Sequence, residues 1–256
     1  MMKFEMLDKK MRVFEQNMDQ LVLPGLYIIA RLDGRGFTKL TKERLDLERP
    51  FDLRFRDAMI ETTKHLMDAG FKITYGYTGS DEISLLFDKN ENSFGRKARK
   101  LVSILAGEAS ARFTQALGTL GVFDCRIIPL PNDDLVVDYF RWRCEDASRN
   151  ALNAWCYWKL REKGLSASEA TKQLEGRSVA EKNEMLFQVG INYNDLPAWQ
   201  KRGVGLFYTD METTSVNPMD NREITVSRKQ LTVEMELPRS TEYDILIKKR
   251  LTEQTP

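Results

Sequence analysis

Three carboxylates stand where a folding chain would sooner place apolar residues. Asp33 closes the run "LYIIARLD" and opens "DGRGF", while Asp81 and Glu82 sit inside "YGYTGSDEISLLF". Taken singly, each has an ordinary use, because "DG" and "GSD" are turn sequences whose acids bond to nearby backbone. Brought together, they need a cation. Two like charges ~4 Å apart repel by roughly 4 kcal/mol at an effective dielectric near 20. Oxygen ligands without a neighbouring His or Cys suit Mg²⁺. Two such ions, held by carboxylates, clamp an in-line phosphoryl displacement.

Whether these acids meet is a question of topology. Residues 26–33 read as a strand, and 51–69 carry apolar residues at helical spacing up to Gly70. A second strand follows at 71–78, "GSDE" makes a turn, and 83–87 form a third strand. Residues 94–117 read as a helix with a "RKARK" face, and 123–130 as a fourth strand. The order β-α-β-β-α-β predicts an α+β fold of the split βαβ, ferredoxin-like kind. Its antiparallel sheet would carry helices on one face. In that arrangement the end of strand 1 lies beside the start of strand 3. Asp33 would then meet Asp81 and Glu82.

From residue 135 the pattern turns helical as far as Gly164, and Ser-x-x-Glu capping patterns follow at Ser166/Glu169 and Ser178/Glu181. Residues 204–208 and 223–236 read as further strands. The expected division is a catalytic domain over 1–134 and a helical and strand extension, packed on it, over 135–256.

Composition narrows the function. With 39 Lys and Arg against 38 Asp and Glu, the net charge of +1 supplies no global attraction to nucleic acid, so any basic surface must be local. No run of 18 apolar residues predicts a membrane span, and "MMKFEMLDKKMR" lacks the apolar core of a signal peptide. Three cysteines without CxxC spacing argue against zinc and against a disulfide framework. The single histidine, His65, reads as an ordinary helix residue. A cytoplasmic location is expected.

Together, "RLDGRGF" and "YGYTGSDEISLLF" resemble the tRNA-His guanylyltransferase family and its guanylyltransferase-like members, 3′-to-5′ nucleotide-adding enzymes with a polymerase-like palm. "DYFRWR" (138–143), "EKNEMLF" (181–187) and "INYNDLP" (191–197) extend the likeness over roughly residues 3 to 210. The resemblance implies a palm fold, two Mg²⁺ ions, tRNA as substrate, ATP and GTP as partners, and a homotetramer. It implies Asp33 and Asp81 as metal ligands with the Gly34 carbonyl, and Glu82 as a catalytic acid beside them. Arg31, Gly34, Arg35, Gly36, Phe37, Arg49, Ser80 and Lys100 fall on nucleotide-binding positions. Arg96, Lys97, Arg99, Asn150, Lys182 and Asn183 are expected to contact tRNA, with 96, 99 and 100 sharing a helix face. The chain departs at Ser148, where the eukaryotic pattern has histidine, which weakens the case for strict tRNA-His specificity.

The implied reaction activates a 5′-monophosphate with ATP or GTP, after which the 3′-hydroxyl of an incoming nucleotide attacks the activated end. A nucleotide cyclase and a non-catalytic RNA-binding palm are the rivals. The KNE and INYN segments disfavour the first, and retention of Asp33 and Asp81 disfavours the second. A haloacid-dehalogenase phosphatase would need D-x-D-G-T, but Arg31 occupies its first acid position.

Overall fold

Alternation along the central strands places side chains on two faces of a sheet, and both faces are covered. Strand β1 (Tyr27–Gly34) sends Ile28, Ala30 and Leu32 to one face and Tyr27 and Ile29 to the other. Strands β2 (Ile73–Gly79) and β3 (Glu82–Phe87) are buried along almost their whole length. The computed structural model of the chain describes residues 3–216 and 223–253.

Before β1 runs helix α1 (Phe4–Gln16). After it come a short helix α2 (Phe37–Lys39), a wider helical turn to Arg44, and helix α3 (Leu53–Met67). Asp52 caps α3, accepting from the backbone N–H of Arg54 (2.7 Å) and Phe55 (3.3 Å). Helix α4 (Ala98–Leu117) leads to β4 (Phe123–Leu130). Helix α5 (Asp133–Glu162) follows, then α6 (Ala167–Leu174), α7 (Val179–Phe187) and α8 (Ala198–Arg202). Strands β5 (Val204–Val216) and β6 (Glu223–Glu234) form a hairpin, and α9 (Ser240–Thr252) ends the described chain. The capping boxes expected at Ser166 and Ser178 are both present.

The sheet has the order β4-β1-β3-β2-β5-β6, antiparallel throughout. Helices α3 and α4 pack on one face through Met59, Leu66, Leu105 and Phe113. The two helices of residues 1–134 thus share one face, as expected of the palm, and the second face is covered from beyond residue 134. Helices α5 and α9 cover the other face, with Phe140, Tyr243 and Ile247 against Tyr27, Tyr75 and Tyr77. The apolar run "ISLLF" belongs to a strand covered on both sides, which alternation alone does not disclose. Strand β5 pairs with β2, so residues beyond 134 share the sheet with those before it. Among the described residues, no helix is long and apolar enough to cross a membrane.

Helix α4 begins at Ala98, not at residue 94. Phe94, Gly95 and Arg96 have φ of 53°, 60° and 59°, and this left-handed run breaks the helix before it starts. Arg96 therefore shares no helical face with Arg99 and Lys100.

Candidate active site

Strand register delivers the acids to one place. Asp33 pairs with Glu82 across β1 and β3, and the Gly34 N–H donates to the Asp81 carbonyl at 3.0 Å. Two residues of tight turn, Ser80 and Asp81, join β2 to β3. Ser80 holds a φ of 55°, a strained value for a residue with a side chain, and its hydroxyl donates to the Asp81 carboxylate at 3.1 Å. The glycines of "DGRGF" are steric requirements. A Cβ on Gly34 would lie 2.5 Å from the Phe37 ring, and Gly36 turns the chain at φ +71°. Phe37 then packs into an aromatic cluster with Phe113 (4.9 Å) and Phe123 (5.0 Å).

A cavity of about 670 Å³ opens over this end of the sheet. Of the expected site residues, Arg31, Asp33, Phe37, Arg49, Ser80, Asp81, Glu82 and Asn150 line it. Gly34, Arg35 and Gly36 form the adjoining turn without lining it, and the Arg35 N–H donates to the Val122 carbonyl at 2.8 Å. Arg49 lies over the ring of Trp158, 4.9 Å from its centroid, which holds a guanidinium on the lining of the cavity that the acids share.

The acids are not equivalent. Glu82 is 8% exposed and clamped by two guanidiniums: Arg31 at 2.7 Å on one oxygen and Arg143 at 2.8 Å on the other. Arg143 also reaches Asp146 at 2.8 Å, and Asn150 donates to the same Asp146 oxygen at 3.2 Å. Burial pushes the Glu82 carboxyl above its usual range; Arg143 and Arg31 oppose that, and Asp33 adds to it. Burial likewise raises Asp81, against its own backbone N–H and Ser80, with Asp33 again adding. Asp33 is the open member, its side chain 41% exposed and its nearest cation, Arg31, 4.0 Å away.

The expected acidic trio is thus a pair plus a clamp. Both Glu82 oxygens are engaged by arginines, so its charge is already paired within the protein. Among the described residues, no three His, Cys, Asp or Glu side chains are grouped to hold a metal ion. Asp33 and Asp81 remain, an oxygen-only pair on the lining of the cavity whose like charges oppose each other. That donor set fits Mg²⁺, which takes one or two carboxylates and completes its shell with water and substrate phosphates.

The basic segment is placed differently from the sequence expectation. Arg96 is 6% exposed and donates to the carbonyls of Val22 (3.1 Å), Leu26 (2.6 Å) and Glu91 (2.8 Å). It is a buried structural strut that ties three loop carbonyls together. Lys97 and Arg99 both pair with Asp19, whose carboxyl they hold down at about 2. Lys100 lies in the first turn of α4 and does not line the cavity. Lys182 and Asn183 lie on α7, also outside it. The Lys182 carbonyl accepts from the Cys156 thiol at 3.4 Å, which seats α7 on α5. The "INYN" segment is tied in the same region: the Tyr193 hydroxyl donates to the Ser148 carbonyl at 2.9 Å, and buried Lys201 donates to the Asn194 carbonyl at 2.6 Å.

Sequence reasoning missed several lining residues. Arg143 stands inside the quoted "DYFRWR", but nothing there shows that it would reach Glu82. Asp146 is found only by its i,i+3 spacing from Arg143. Arg56 over Trp199 (4.8 Å) and Lys42 over Tyr157 (5.1 Å) join segments far apart in sequence, with no local signal at all.

A family model described as tRNAHis guanylyltransferase matches residues 8–131, and the Thg1 C terminal domain matches 134–247. A probable tRNA(His) guanylyltransferase of Drosophila melanogaster is 35% identical over 200 residues, covering 74% of this chain and 69% of the relative. A bacterial tRNA(His) guanylyltransferase (Thg1)-like protein solved in complex with ATP superposes with a TM-score of 0.78 at 27% identity, over 96% of this chain and 98% of that one. One solved in complex with GTP gives 0.72 at 26% identity, over 97% and 100%. The two family models adjoin and together span nearly the whole described chain: it belongs to the tRNA(His) guanylyltransferase family, a family of tRNA nucleotidyltransferases.

Proposed function

We propose that this chain adds nucleotides in the 3′-to-5′ direction to the 5′ end of tRNA, with Mg²⁺, after activating that end with ATP or GTP. One observation carries the reading. The β1–β3 register pairs Asp33 with Glu82, the Gly34 N–H bonds the Asp81 carbonyl, and Asp33 and Asp81 so come to line one cavity with Arg49 and Asn150. The complexes of the bacterial relatives with ATP and with GTP support the choice of nucleotides. The strand order around the acids supports reading the sheet as a polymerase-like palm. A homotetramer and a cytoplasmic location belong to the same reading.

Asp33 and Asp81, with the Gly34 carbonyl, would hold two Mg²⁺ ions, which supply charge neutralisation at the transferring phosphate. The chain's own residues do the positioning. Arg49 meets the triphosphate with a guanidinium already fixed on Trp158, so little freedom is lost on binding. Glu82 holds Arg31 and Arg143 in place beside the acids. No histidine is needed as nucleophile or base, and His65 lies on α3, bonded to Glu108 at 2.7 Å and outside the cavity.

Ser148 bears on substrate choice. Its backbone is engaged by Tyr193, and its side chain is too short to stack on an unpaired base. Selection then rests on the 5′ end, where the unpaired acceptor base selects the incoming nucleotide. The test is addition to labelled 5′-monophosphate tRNA lacking its first nucleotide, with ATP, GTP and Mg²⁺. Extension of both histidine and non-histidine tRNAs is expected. No addition to either overturns the reading, and a loss of about a hundredfold on swapping the anticodon alone, about 2.7 kcal/mol, overturns the part that rests on Ser148.

A further inference from the structure

An RNA partner needs a local basic surface that a net charge of +1 does not supply. The segment from 96 to 100 is largely engaged elsewhere, Arg96 being buried and Lys97 and Arg99 sharing Asp19. Three other cations converge on helix α5. Arg49 lies over the Trp158 ring at 4.9 Å, and Lys42 over the neighbouring Tyr157 ring at 5.1 Å. Arg161, one helical turn beyond Tyr157, donates from Nη1 to the Tyr157 hydroxyl at 3.3 Å. The two rings meet edge to face, 5.3 Å apart, and so join the three cations into one group.

Among the described residues, none of the three is ion-paired with a carboxylate. Lys159, beside them on α5, shows the contrast, since Glu162 neutralises it at 2.7 Å. An aromatic ring orients a cation without cancelling its charge. The bond to Tyr157 is the only one Arg161 makes among the described residues, and its Nε is a buried donor without a partner there. These side chains are held in place with their charge uncancelled. Lys42 and Arg49 line the cavity and Arg161 does not, so the group leads from inside the cavity to the surface of α5. The function proposed above gives Arg49 to the triphosphate, which leaves one cation inside the cavity and one outside it. We propose that Lys42 and Arg161 hold the phosphodiester backbone of the tRNA strand whose 5′ end reacts in the cavity. This rests on that reading of function and adds a backbone contact to it. A nucleotide's own phosphates share the chemistry, but a nucleotide enclosed by the cavity would leave Arg161 out. A strand that enters from the surface meets both cations.

Equilibrium binding of 5′-truncated tRNA to the full chain, read by fluorescence anisotropy without ATP or GTP over a range of salt, tests this. Each backbone contact releases counterions, so removing one lowers the salt slope of log K by about one. Lys42→Gln with Arg161→Gln should lower the slope by about two and weaken binding at least about tenfold at low salt. The KM for ATP and GTP should change by less than about threefold, as for a surface charge. Lys42→Arg with Arg161→Lys keeps both charges and should restore the slope. Lys42 is exposed, so Lys42→Gln alone, lowering the slope by about one, carries the test if Arg161→Gln unfolds the end of α5. An unchanged slope overturns the proposal. A slope that stays low in the charge-keeping pair overturns it too, since shape and not charge was then lost. A raised KM for ATP and GTP with unchanged tRNA binding overturns it in favour of a nucleotide's triphosphate. Because binding is read without addition, the two readings fail separately. A chain that adds nothing can still lose tRNA through these variants, and a chain that adds nucleotides can still keep it.

Discussion

Two charged clusters face each other in the sequence as equals, the acids at 33, 81 and 82 and the bases from 96 to 100, and the fold treats them in opposite ways. The acids come from strand ends whose register fixes their backbone positions, and two of them are left with like charge beside like charge. The bases come from a left-handed turn and the first turn of a helix. There each of three finds a local partner: Arg96 its carbonyls, Lys97 and Arg99 the shared Asp19. What separates a site from scaffold is whether the charge is satisfied at home. A cluster whose charges oppose each other asks for a ligand. A cluster whose charges are paired has its ligand already.

The comparison breaks first at Asp33 and Asp81. Asp33→Ala or Asp81→Ala should lower nucleotide addition by at least about a thousandfold, roughly 4 kcal/mol, while thermal stability of the magnesium-free protein stays level or rises. Assay by primer-independent addition to 5′-truncated tRNA, alongside thermal melts, checks both halves. Retention of more than about a tenth of wild-type activity, a loss below roughly 1.4 kcal/mol, refutes the two-acid assignment.

Arg96→Ala is the mirror experiment. Removing the guanidinium strands several buried carbonyls, a loss of about 3 kcal/mol in urea unfolding. If Arg96 is scaffold, the folded fraction keeps its tRNA affinity at reduced temperature. A variant that stays stable but loses tRNA binding would return Arg96 to the binding surface.

Arg49 and Lys100 sharpen the same contrast. Both fall on nucleotide-binding positions by resemblance, but only Arg49 lines the cavity. Arg49→Ala should raise the apparent KM for ATP and GTP about 10- to 100-fold, the worth of a charge-assisted contact. Lys100→Ala should change it by less than about threefold, a surface-charge effect. Equal losses at both positions would place Lys100 within reach of the nucleotide after all.

How much of this was legible follows from the range of each signal. Asp33 and the Asp81 turn were readable because strand periodicity and a two-residue turn are local, and topology then forces the pairing with Glu82. The fate of Glu82 was not, because the arginine that neutralises it, Arg143, comes from a helix far along the chain. Arg96 was misread because helical spacing says nothing of three consecutive left-handed residues, of which only Gly95 advertises the conformation. That an extension packs on the palm was expected, but which elements cover the second face was not, because α5 and α9 carry no clean apolar stripe that would name the face they bury.

A modest effect on stability alone is expected at Asp52, on the lining of the cavity. This residue is 7% exposed, and burial works against its charge. The Arg54 side chain and the N–H groups of Glu48, Arg54 and Phe55 outweigh burial and hold its carboxyl at about 2. Because the folded value lies below the unfolded one, Asp52 contributes stability above the unfolded value near 3.8, and that contribution fades as pH falls towards 2. Asp52→Asn keeps a capping oxygen but gives up the charge, so it should cost about 1 kcal/mol at neutral pH. The difference between wild type and variant should shrink steadily in melts taken from pH 5 down to about pH 2, where half of the folded wild type already carries a neutral cap. A difference that persists unchanged across that range would mean that packing at the cap, not the carboxylate's charge, is what Asp52 contributes to the start of α3 and so to the placing of Phe55, Arg56 and Met59 on the cavity wall.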